Sequence, residues 1–466
     1  MINNSIIFKK NHLNSFTEFS SDKNPLHVNS EYASLTPFSE KIVYGISGVF
    51  FLLSKVNLKK NNIASIKIDF KKPLFLNKKY YFTIGQDKHE IMLKIYKGNT
   101  IYTKVKIKNN YKKKLVSKFK LAPSINKEIT SKKFKWNKIP TKKNLKKLLV
   151  SYPGLENIPF WLLQILAWSS YWVGMICPGR QALFSNFNLE LNGNSLTFKY
   201  EKNLLHRILK QNKSFFSSSD GSKILLLSFV RPEPISQLRS EIFKNNNKKL
   251  LKNKRCFVTG GTRGVGSVFS QMLSSQGAEV FASYRRNKKT AEKIEKFISS
   301  KGEFFKALNV NQFNKNVFNK KIDCLVLNAA PTIKHIDLHE MSKQEFDNEK
   351  KIFYNLTVSE IEFFRKNLSK DATIINVSTS FIDEKPDGFS HYFKGKKAVE
   401  NYLKDFSSKN LNYTLLNFRL PKMHTDQTNT TFIDNQIYSP IKIIKKVMDL
   451  YLSFRGKKGF HSFNII

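Results

Sequence analysis

Residues 256–266 read CFVTGGTRGVG, an apolar run that leads through closely spaced glycines into a helical pattern. This feature constrains the fold more than any other. Glycines allow a tight turn, and they let backbone N–H groups approach a bound pyrophosphate at the start of a helix. Further strand-like runs, separated by helical stretches, lie at residues 279–283, 324–327, 373–377 and 413–418. Strands that alternate with helices predict a parallel sheet with helices on both faces.

Arginines stand where the second strand of this region ends. Arg285 and Arg286 follow the run at residues 279–283, and Arg263 lies within the glycine turn. Proteins that bind NAD usually carry an acidic residue here for the ribose hydroxyls, whereas positive charge suits the 2′-phosphate of NADP. The pattern favours NADP(H) as the cofactor, with ordinary basic surface as the alternative.

A tyrosine and a lysine four positions apart, Tyr392 and Lys396, share one face of a predicted helix. An ammonium beside a phenol stabilises the phenolate, so that a tyrosine with an ordinary pKa of about 10 becomes a usable acid for a carbonyl under reduction. The spacing alone is common by chance and equally typical of an exposed amphipathic helix. It gains weight from Asn328 and Ala329, which follow a predicted strand, and from Asn355 in a predicted helix.

Together these residues resemble the short-chain dehydrogenase/reductase family, close to the 3-ketoacyl-thioester reductases. The TGxxxGxG turn at 259–266 and the stretch YFKGKKAVE at 392–400 carry the likeness. The resemblance implies an α/β Rossmann fold, a doubly wound parallel sheet, over residues 246–466. It also implies that Tyr392 is the general acid, Lys396 holds the nicotinamide ribose and Asn355 completes a proton relay. The implied cofactor-binding residues are Thr259, Gly260, Arg263, Gly264, Gly266, Arg285, Asn328, Ala329, Lys396 and Thr425.

Two positions depart from the family pattern. The family's catalytic serine falls thirteen positions before the tyrosine, where this chain has Thr379 between Ser378 and Ser380. A threonine hydroxyl can also polarise a carbonyl, so Thr379 is the predicted catalytic hydroxyl. Asn309 stands where many members have an aspartate that contacts adenine. Neither departure removes the Tyr392–Lys396 pair.

The N-terminal region contains an acid and a base five positions apart, Asp22 and His27, across a proline turn. If the turn brings them together, they could share a water molecule. A helix that begins near Gly45 could then aim N–H groups at a thioester oxygen. An Asx turn with a capping aspartate and a surface histidine explains the same residues.

The longer stretch DKNPLHVNSEYASLTPFSEKIVYGI, at residues 22–46, resembles the MaoC-like (R)-specific enoyl-thioester hydratases, which have a hot-dog fold. The resemblance implies that Asp22 and His27 add water to an enoyl thioester or remove it from a 3-hydroxyacyl thioester. It also implies that Asn24 orients them and that the Gly45 N–H binds the enolate oxygen. Tyr44 departs from the family, which usually has a histidine before this glycine.

A helix followed by strands occurs twice ahead of the glycine turn, which predicts a duplicated α+β fold. We therefore expect a hot-dog dehydratase or hydratase domain over residues 1–110, a Lys-rich linker over 111–147 and a second, non-catalytic hot-dog unit over 148–245. The apolar segment 158–177 is long enough to resemble a membrane span. A buried core helix is the preferred interpretation, because ordinary amphipathic sequence adjoins both ends.

The chain has 80 basic and 35 acidic residues, a formal charge of +45. Binding to nucleic acid or to a membrane surface is one interpretation, but the basic residues are spread along the chain without zinc-finger spacing or an RNP-like motif. A coding bias toward lysine is favoured, and the charge still attracts nucleotides and phosphopantetheine carriers. Three cysteines and the lack of a signal-peptide pattern predict a cytoplasmic protein.

The two resemblances predict a bifunctional enzyme. The C-terminal region reduces a 3-ketoacyl thioester with NADPH, and the N-terminal region dehydrates the product to an enoyl thioester. Coenzyme A or an acyl carrier protein delivers the substrate, no metal site is predicted, and a homo-oligomer is expected. The alternatives are a monofunctional reductase whose N-terminal half only binds thioesters or dimerises, and a nucleic-acid-associated protein.

Overall fold

The computed structural model describes residues 4–59, 63–109, 119–122, 135, 137–193, 195–244, 249–312, 320–333, 335–336, 342–432 and 436–465. The chain divides into two compact units. Unit 1 comprises Met1–Ser34 and Phe38–Glu233, and unit 2 comprises Leu35–Pro37 and Pro234–Ile466. Most of the predicted Lys-rich linker at 111–147 lies outside the described residues. The described parts of that segment include a short strand and the start of a helix.

Unit 1 contains six described α-helices and a ten-stranded sheet. The helices are α1 (Lys10–Ser20), α2 (Pro25–Val28), α3 (Ser30–Ser34), α4 (Gly45–Leu53), α5 (Leu145–Ser151) and α6 (Phe160–Tyr171). The strands are β1 (Ser5–Ile7), β2 (Ile63–Phe70), β3 (Lys79–Gln86), β4 (Glu90–Lys97), β5 (Thr100–Asn109), β6 (Lys120–Leu121), β7 (Ala182–Glu190), β8 (Thr197–His206), β9 (Gln211–Ser218) and β10 (Lys223–Val230).

The strand order of this sheet repeats itself about its centre. The order is β1-β3-β4-β5-β2-β7-β10-β9-β8-β6. The run β3-β4-β5-β2 on one side therefore corresponds to β8-β9-β10-β7 on the other. Strands β2 and β7 join the halves in antiparallel register, with Ile68 opposite Phe187, and the sheet is mixed because β6 runs parallel to β8. Each half is a helix followed by four strands. The identity of this arrangement as a double hot-dog stays a prediction.

The apolar helices α4 and α6 are buried in the core of unit 1. Nearly every residue of α4 is buried, and α6 continues after Tyr171 into a π-helical turn at Trp172–Ile176. Trp168 and Trp172 lie in this core and pack edge-on against Phe216 of β9. The segment 158–177 is therefore a core helix with an irregular last turn. Within the described ranges, no helix combines the length and the apolar character that a membrane crossing requires.

Unit 2 alternates strands and helices after the glycine turn. Its strands are β11 (Arg255–Val258), β12 (Glu279–Tyr284), β13 (Phe305–Asn309), β14 (Ile322–Leu327), β15 (Leu368–Thr379), β16 (Thr414–Leu420) and β17 (Gly459–Asn464). Its α-helices are α7 (Gly264–Ser275), α8 (Lys288–Ser299), α9 (Lys343–Phe364), α10 (Phe381–Glu384), α11 (Ser390–Lys409) and α12 (Pro440–Phe454).

The seven strands of unit 2 form one parallel sheet in the order β13-β12-β11-β14-β15-β16-β17. Successive residues of β11 face opposite sides, since Cys256 and Val258 lie in one buried cluster and Phe257 in another. Helices α7 and α12 contribute to the first cluster, and α9 and α11 to the second. Both faces are covered, which is why the strands read as continuous apolar runs. The predicted Rossmann-type parallel sheet is confirmed.

We expect Phe187→Ala to lower the free energy of unfolding of unit 1 by about 3 to 5 kcal/mol, because Phe187 is fully buried where β2 and β7 join. All four tryptophans precede residue 234, so tryptophan fluorescence during urea unfolding reports on this unit. Leu205→Ala, on an exposed position of β8, is the matched control and should change stability by less than about 0.5 kcal/mol. Equal losses of unfolding free energy in the two variants would contradict the burial of Phe187 between β2 and β7.

Candidate active sites

The glycine turn of unit 2 is held in a conformation that side chains disfavour. Gly260 and Gly264 have φ angles of +61° and +54°. A Cβ on Gly266 would lie 2.4 Å from the carbonyl oxygen of Gly260 and 2.5 Å from Asn328 Nδ2. Glycine therefore keeps these positions of the strand-to-helix turn free of side chains of their own, as close approach of a pyrophosphate requires.

The hydroxyl of Thr259 ties this turn to the end of β14. Its Oγ1 accepts the N–H groups of Asn328 at 3.0 Å and Ala329 at 2.9 Å. Asn328 Nδ2 in turn donates to the carbonyl of Thr259 at 3.0 Å. The predicted residues Thr259, Gly260, Gly266, Asn328 and Ala329 are thus brought together at the carboxyl edge of the sheet.

Three arginines lie beside this edge. Arg285 and Arg286 are exposed just after β12, and Arg263 is half-buried at the start of α7. Burial lowers the pKa of Arg263, the carboxylate of Asp426 opposes that shift, and Arg286 lowers the pKa further. Since Arg286 acts on Arg263, these two guanidinium groups concentrate positive charge at one place.

Thr425 also reaches the glycine turn, since a Cβ on Gly264 would lie 3.9 Å from its Cβ. The glycine cradle, the arginines and Thr425 fit a dinucleotide with a 2′-phosphate. The cradle would take the pyrophosphate, and the arginines would take the 2′-phosphate.

Tyr392 and Lys396 lie on the buried face of α11, and Thr379 ends β15 beside them. Burial raises the pKa of Tyr392 to about 12, and a hydrogen bond with Thr379 opposes this shift. Lys396 Nζ donates to the carbonyl of Val377 at 2.8 Å. Burial lowers the pKa of Lys396 to about 8, and the charges of Glu360 and Glu400 oppose that shift.

The direction of the Tyr392 shift differs from the sequence-based expectation. The lysine was expected to make the phenol more acidic, but burial of the phenol outweighs any such effect in this structure. The tyrosine therefore stays protonated throughout the neutral range. A protonated phenol hydrogen-bonded to a threonine hydroxyl can donate its proton to an oxygen that becomes basic.

The structure does not bring Asn355 to this cluster. Asn355 is exposed on α9, and its carbonyl accepts a local hydrogen bond from Ser359 Oγ at 2.7 Å. The face of α9 that packs toward α11 carries Phe353, whose ring lies 5.3 Å from that of Tyr392. Glu360 lies on this inner face, and five residues turn a helix through about 140° from Asn355. The prediction that Asn355 completes the proton relay is wrong, because Asn355 lies on a different face of α9 from the one that packs toward Tyr392.

In unit 1, Asp22 is a buried carboxyl group that accepts hydrogen bonds from both halves of the unit. Its Oδ1 accepts the N–H of Asn24 at 2.9 Å, and its Oδ2 accepts the hydroxyl of Ser170, on α6, at 2.8 Å. A Cβ on Gly174 would lie 2.7 Å from this carboxylate, so only glycine fits there. Burial raises the pKa of Asp22 to about 7, and the Asn24 and Ser170 hydrogen bonds oppose the shift.

His27 is held as a neutral imidazole. Its Nδ1 lies 2.8 Å from the carbonyl oxygen of Ile42, which can only accept, so Nδ1 carries the hydrogen and Nε2 has a free lone pair. Burial lowers the pKa of His27 to about 4. Tyr44, which replaces the family's histidine, stacks on the His27 ring at 3.9 Å and donates its hydroxyl to the carbonyl of Asp22 at 2.6 Å. Tyr44, although it departs from the family pattern, therefore helps to hold both His27 and Asp22 in place.

Asp22, Asn24, His27 and Gly45 line one cavity of about 220 Å³ in unit 1. Asn24 caps α2 through the N–H of Leu26 and donates to the carbonyl of Gly174 at 3.0 Å. Gly45 is the first residue of α4. All four residues predicted for this site thus face the same space, which contradicts the alternative of a surface histidine.

Three residues in these sites were missed from the sequence. Ser170 binds Asp22 across 148 positions of chain, and its one signal was a polar residue inside an apolar helix. The side chain of Gln237 accepts the N–H of Gly264 at 2.7 Å and donates to Asp426 at 3.0 Å, although the predicted second hot-dog unit includes Gln237. Glu360 accepts a hydrogen bond from Thr259 Oγ1 at 3.2 Å, and an acidic residue on the inner face of α9 was the available signal.

Comparison with known proteins identifies the fold of unit 2. Residues 254–417 match the family model described as short chain dehydrogenase. Among curated proteins, no sequence matches this chain. Similar solved structures include a short chain dehydrogenase from Shigella flexneri complexed with NADP, at 18% identity and a TM-score of 0.41, covering 47% of this chain and 99% of that one.

Two further structures are similar to the same extent. A dehydrogenase/reductase from Sinorhizobium meliloti is 21% identical with a TM-score of 0.41, over 49% of this chain and 98% of that one. A short chain dehydrogenase from Escherichia coli complexed with NADPH is 17% identical with a TM-score of 0.41, over 46% of this chain and 98% of that one. The C-terminal region carries a short-chain dehydrogenase domain, and it is therefore an oxidoreductase domain.

Asp22→Asn should stabilise the protein in a pH-dependent way. The folded state keeps the Asp22 proton up to about pH 7, whereas an unfolded aspartate loses it near its ordinary pKa of 3.8. Stability at this group therefore falls by as much as about 4 kcal/mol as the pH rises through this window. The variant lacks that loss, so the difference in free energy of unfolding between the variant and the wild type should grow from pH 5 to pH 7 and then level off. Urea unfolding followed by tryptophan fluorescence measures it, and an advantage independent of pH would contradict the raised pKa.

Proposed function

We propose that this chain is an NADPH-dependent reductase of the carbonyl group of a 3-ketoacyl thioester, with unit 2 as the catalytic unit. The observation that carries the proposal is the cluster of the buried Tyr392 and Lys396, one helical turn apart on α11, with the buried Thr379 at the end of β15. These groups lie at the edge of the parallel sheet where its carboxyl ends and the glycine turn meet. Ligands bind at this edge in open α/β sheets.

The residues divide the work of reduction between them. The Thr379 hydroxyl binds and polarises the substrate carbonyl oxygen, and Tyr392 gives that oxygen its proton as negative charge develops there. Bound NADPH supplies the hydride. Lys396 would hold the nicotinamide ribose, and its positive charge stabilises the phenolate that Tyr392 becomes. The raised pKa of Tyr392 keeps the proton in place until the oxygen becomes the stronger base.

The preference of unit 2 for NADPH over NADH follows from the positive charge of three arginines. Arg263, Arg285 and Arg286 supply positive charge at the end of β12 and the start of α7, where an adenosine 2′-phosphate would lie. The excess of NADPH over its oxidised form in most cells would drive the reaction toward reduction. Arg285 and Arg286 are exposed, so solvent screens them more than Arg263.

Unit 1 supports a second activity, the dehydration of the 3-hydroxyacyl thioester that the reductase forms. Asp22, with a pKa of about 7, and His27, with a pKa of about 4, are a neutral acid and a neutral base on the same cavity. His27 Nε2 takes the proton from the carbon next to the thioester, and Asp22 protonates the leaving hydroxyl. The C–H and C–O bonds break, a carbon–carbon double bond forms, and water leaves. The start of α4 at Gly45 faces the enolate oxygen.

A monofunctional reductase is the competing assignment. In that case unit 1 binds thioesters or dimerises without catalysing dehydration. A carrier protein or coenzyme A would deliver the thioester, and the charge of +45 favours such acidic or phosphorylated carriers. A homo-oligomer in the cytoplasm is part of the same proposal.

Tyr392→Phe should lower kcat for NADPH oxidation about 10²- to 10⁴-fold with a 3-ketoacyl thioester as the second substrate, because the proton donor is lost. The dissociation constant for NADPH should change little, since Tyr392 donates to the substrate. Loss of NADPH absorbance measures the rate. Tyr402→Phe, on the same helix, is the control and should match the wild type. Unchanged reduction by Tyr392→Phe would overturn the assignment.

Asp22→Asn should abolish dehydration and leave reduction intact. Mass spectrometry of the products should show the 3-hydroxyacyl thioester accumulating in the variant, where the wild type yields the dehydrated product. Asp69→Asn, in β2 and outside the cavity lining, is the control and should dehydrate normally. Dehydration by Asp22→Asn at the wild-type rate would contradict the role of Asp22, whereas no dehydration by the wild type would favour the monofunctional assignment.

A further inference from the structure

Gln237 is a buried side chain in the segment that leads from β10 to β11, and it contacts the glycine turn of unit 2. Its Oε1 accepts the N–H of Gly264 at 2.7 Å and lies 3.4 Å from the hydroxyl oxygen of Ser267. Its Nε2 donates to the carbonyl oxygen of Ile235 at 2.9 Å and to Oδ1 of Asp426 at 3.0 Å. A backbone N–H can only donate, so the amide has one orientation, with its oxygen toward the glycine turn.

The start of α7 receives its cap from Gln237 and not from its own N-cap residue. Arg263, at the N-cap position, does not cap the helix with its side chain. The first N–H groups of a helix have no partner within the helix, so they need one from elsewhere. Gln237 provides it for Gly264, the first residue of α7. No group in the described part of the chain accepts the next two N–H groups, those of Val265 and Gly266, which leaves them for an anion.

Asp426 extends this contact to the loop after β16. It follows Thr425, whose Cβ lies 3.9 Å from the place that a Cβ on Gly264 would take. Burial raises the pKa of Asp426 to about 6, so its carboxyl group is mostly ionised at neutral pH and accepts a charge-assisted hydrogen bond from the Gln237 amide. The amide therefore bridges the glycine turn and the loop that carries Thr425.

The backbone of Gln237 is also fixed against α7. Its carbonyl oxygen accepts Nε2 of Gln271 at 2.9 Å, and Gln271 Oε1 accepts the N–H of Arg239 at 2.9 Å. Gln271 is fully buried on α7, where its polar atoms need such partners. Gln237 and Asp426 both lie outside residues 254–417, the part of the chain that matches the family model. The match therefore gives neither residue a role.

We propose that Gln237 is a positioning residue of the cofactor site, which holds the start of α7 and the loop of Thr425 at the separation that the pyrophosphate of NADPH requires. It takes the first N–H of α7 and leaves the next two to the phosphates. Gln237 does not touch the substrate and transfers no proton. The inference rests on the reductase function proposed above. It makes the segment ahead of β11 a part of the cofactor site.

The test is the dissociation constant of the whole chain for NADPH at neutral pH, followed by NADPH fluorescence. Gln237→Glu keeps the size of the side chain and an acceptor for Gly264, but it cannot donate to Asp426 and places a second carboxylate beside it. We expect binding to weaken about 10- to 100-fold, because repulsion replaces a charge-assisted hydrogen bond. Gln344→Glu adds the same charge at an exposed position of α9 and should bind NADPH as the wild type does.

Asp426→Asn provides a background that separates the bridge from the added charge. The double variant Gln237→Glu, Asp426→Asn has the net charge of the wild type, and its new amide can donate to its new carboxylate. Gln237→Glu should therefore cost at least about fivefold less affinity for NADPH in this background than in the wild type. An equal loss of affinity in the two backgrounds would overturn the bridge.

Gln237→Met keeps the test decisive if Gln237→Glu fails to fold, since it removes both hydrogen-bonding groups without adding charge. NADPH should bind this variant about tenfold more weakly. Adenosine 2′-monophosphate, which has the 2′-phosphate but no pyrophosphate, should bind it as tightly as it binds the wild type in calorimetric titrations. Equal weakening of both ligands, or unchanged NADPH binding, would overturn the positioning role and leave the reductase proposal standing. Absence of NADPH binding by the wild type would instead overturn the reductase proposal, and the role of Gln237 with it.

Discussion

One hydroxyl holds together the part of unit 2 on which its chemistry depends. Thr259 ends the first strand, accepts two N–H groups from the turn after β14 and donates to Glu360 on α9. This hydroxyl fixes the strand ends that flank the glycine turn. The side chain of Asn328 adds a second link, to the Thr259 carbonyl. The hydrogen bonds of Thr259 thus link the glycine turn to the end of β14 and to α9, the helix that faces Tyr392.

Burial sets the protonation state of the acid–base groups in both units. It keeps Tyr392 protonated and His27 neutral near pH 7, and it raises the pKa of Asp22 to about 7, so that a protonated Asp22 is populated at neutral pH for its proposed step. Lys396 is different, because burial works against its charge and nearby carboxylates restore it. Desolvation therefore has the largest effect on the pKa values of these groups in both sites. Specific partners, such as Ser170 for Asp22, adjust it.

Local periodicity predicted the parallel sheet and the glycine turn of unit 2, and a spacing along one helix predicted the pairing of Tyr392 with Lys396. The resemblance to the reductase family added Thr379, which lies at the end of β15. The sequence also placed Asp22 and His27 on one cavity. It missed β9, whose run QNKSFFSS lacks apolar alternation at its start. It could not find the Ser170 contact, since burial and a long-range contact decide it. For the same reason it missed Glu360, and it predicted the wrong direction for the shift in the Tyr392 pKa.

The central claim is that unit 2 delivers a hydride from NADPH, and a proton from Tyr392, to one carbonyl group. The most direct measurement uses NADPH that carries deuterium at both hydrogen positions of nicotinamide C4, with a 3-ketoacyl thioester, and mass spectrometry of the product. The account predicts one deuterium bound to carbon 3 of the product in the wild type, in the 3-hydroxyacyl or the dehydrated thioester alike, and at least 100-fold slower labelling by Tyr392→Phe. Unlabelled product, or equal labelling by Tyr392→Phe, would contradict it.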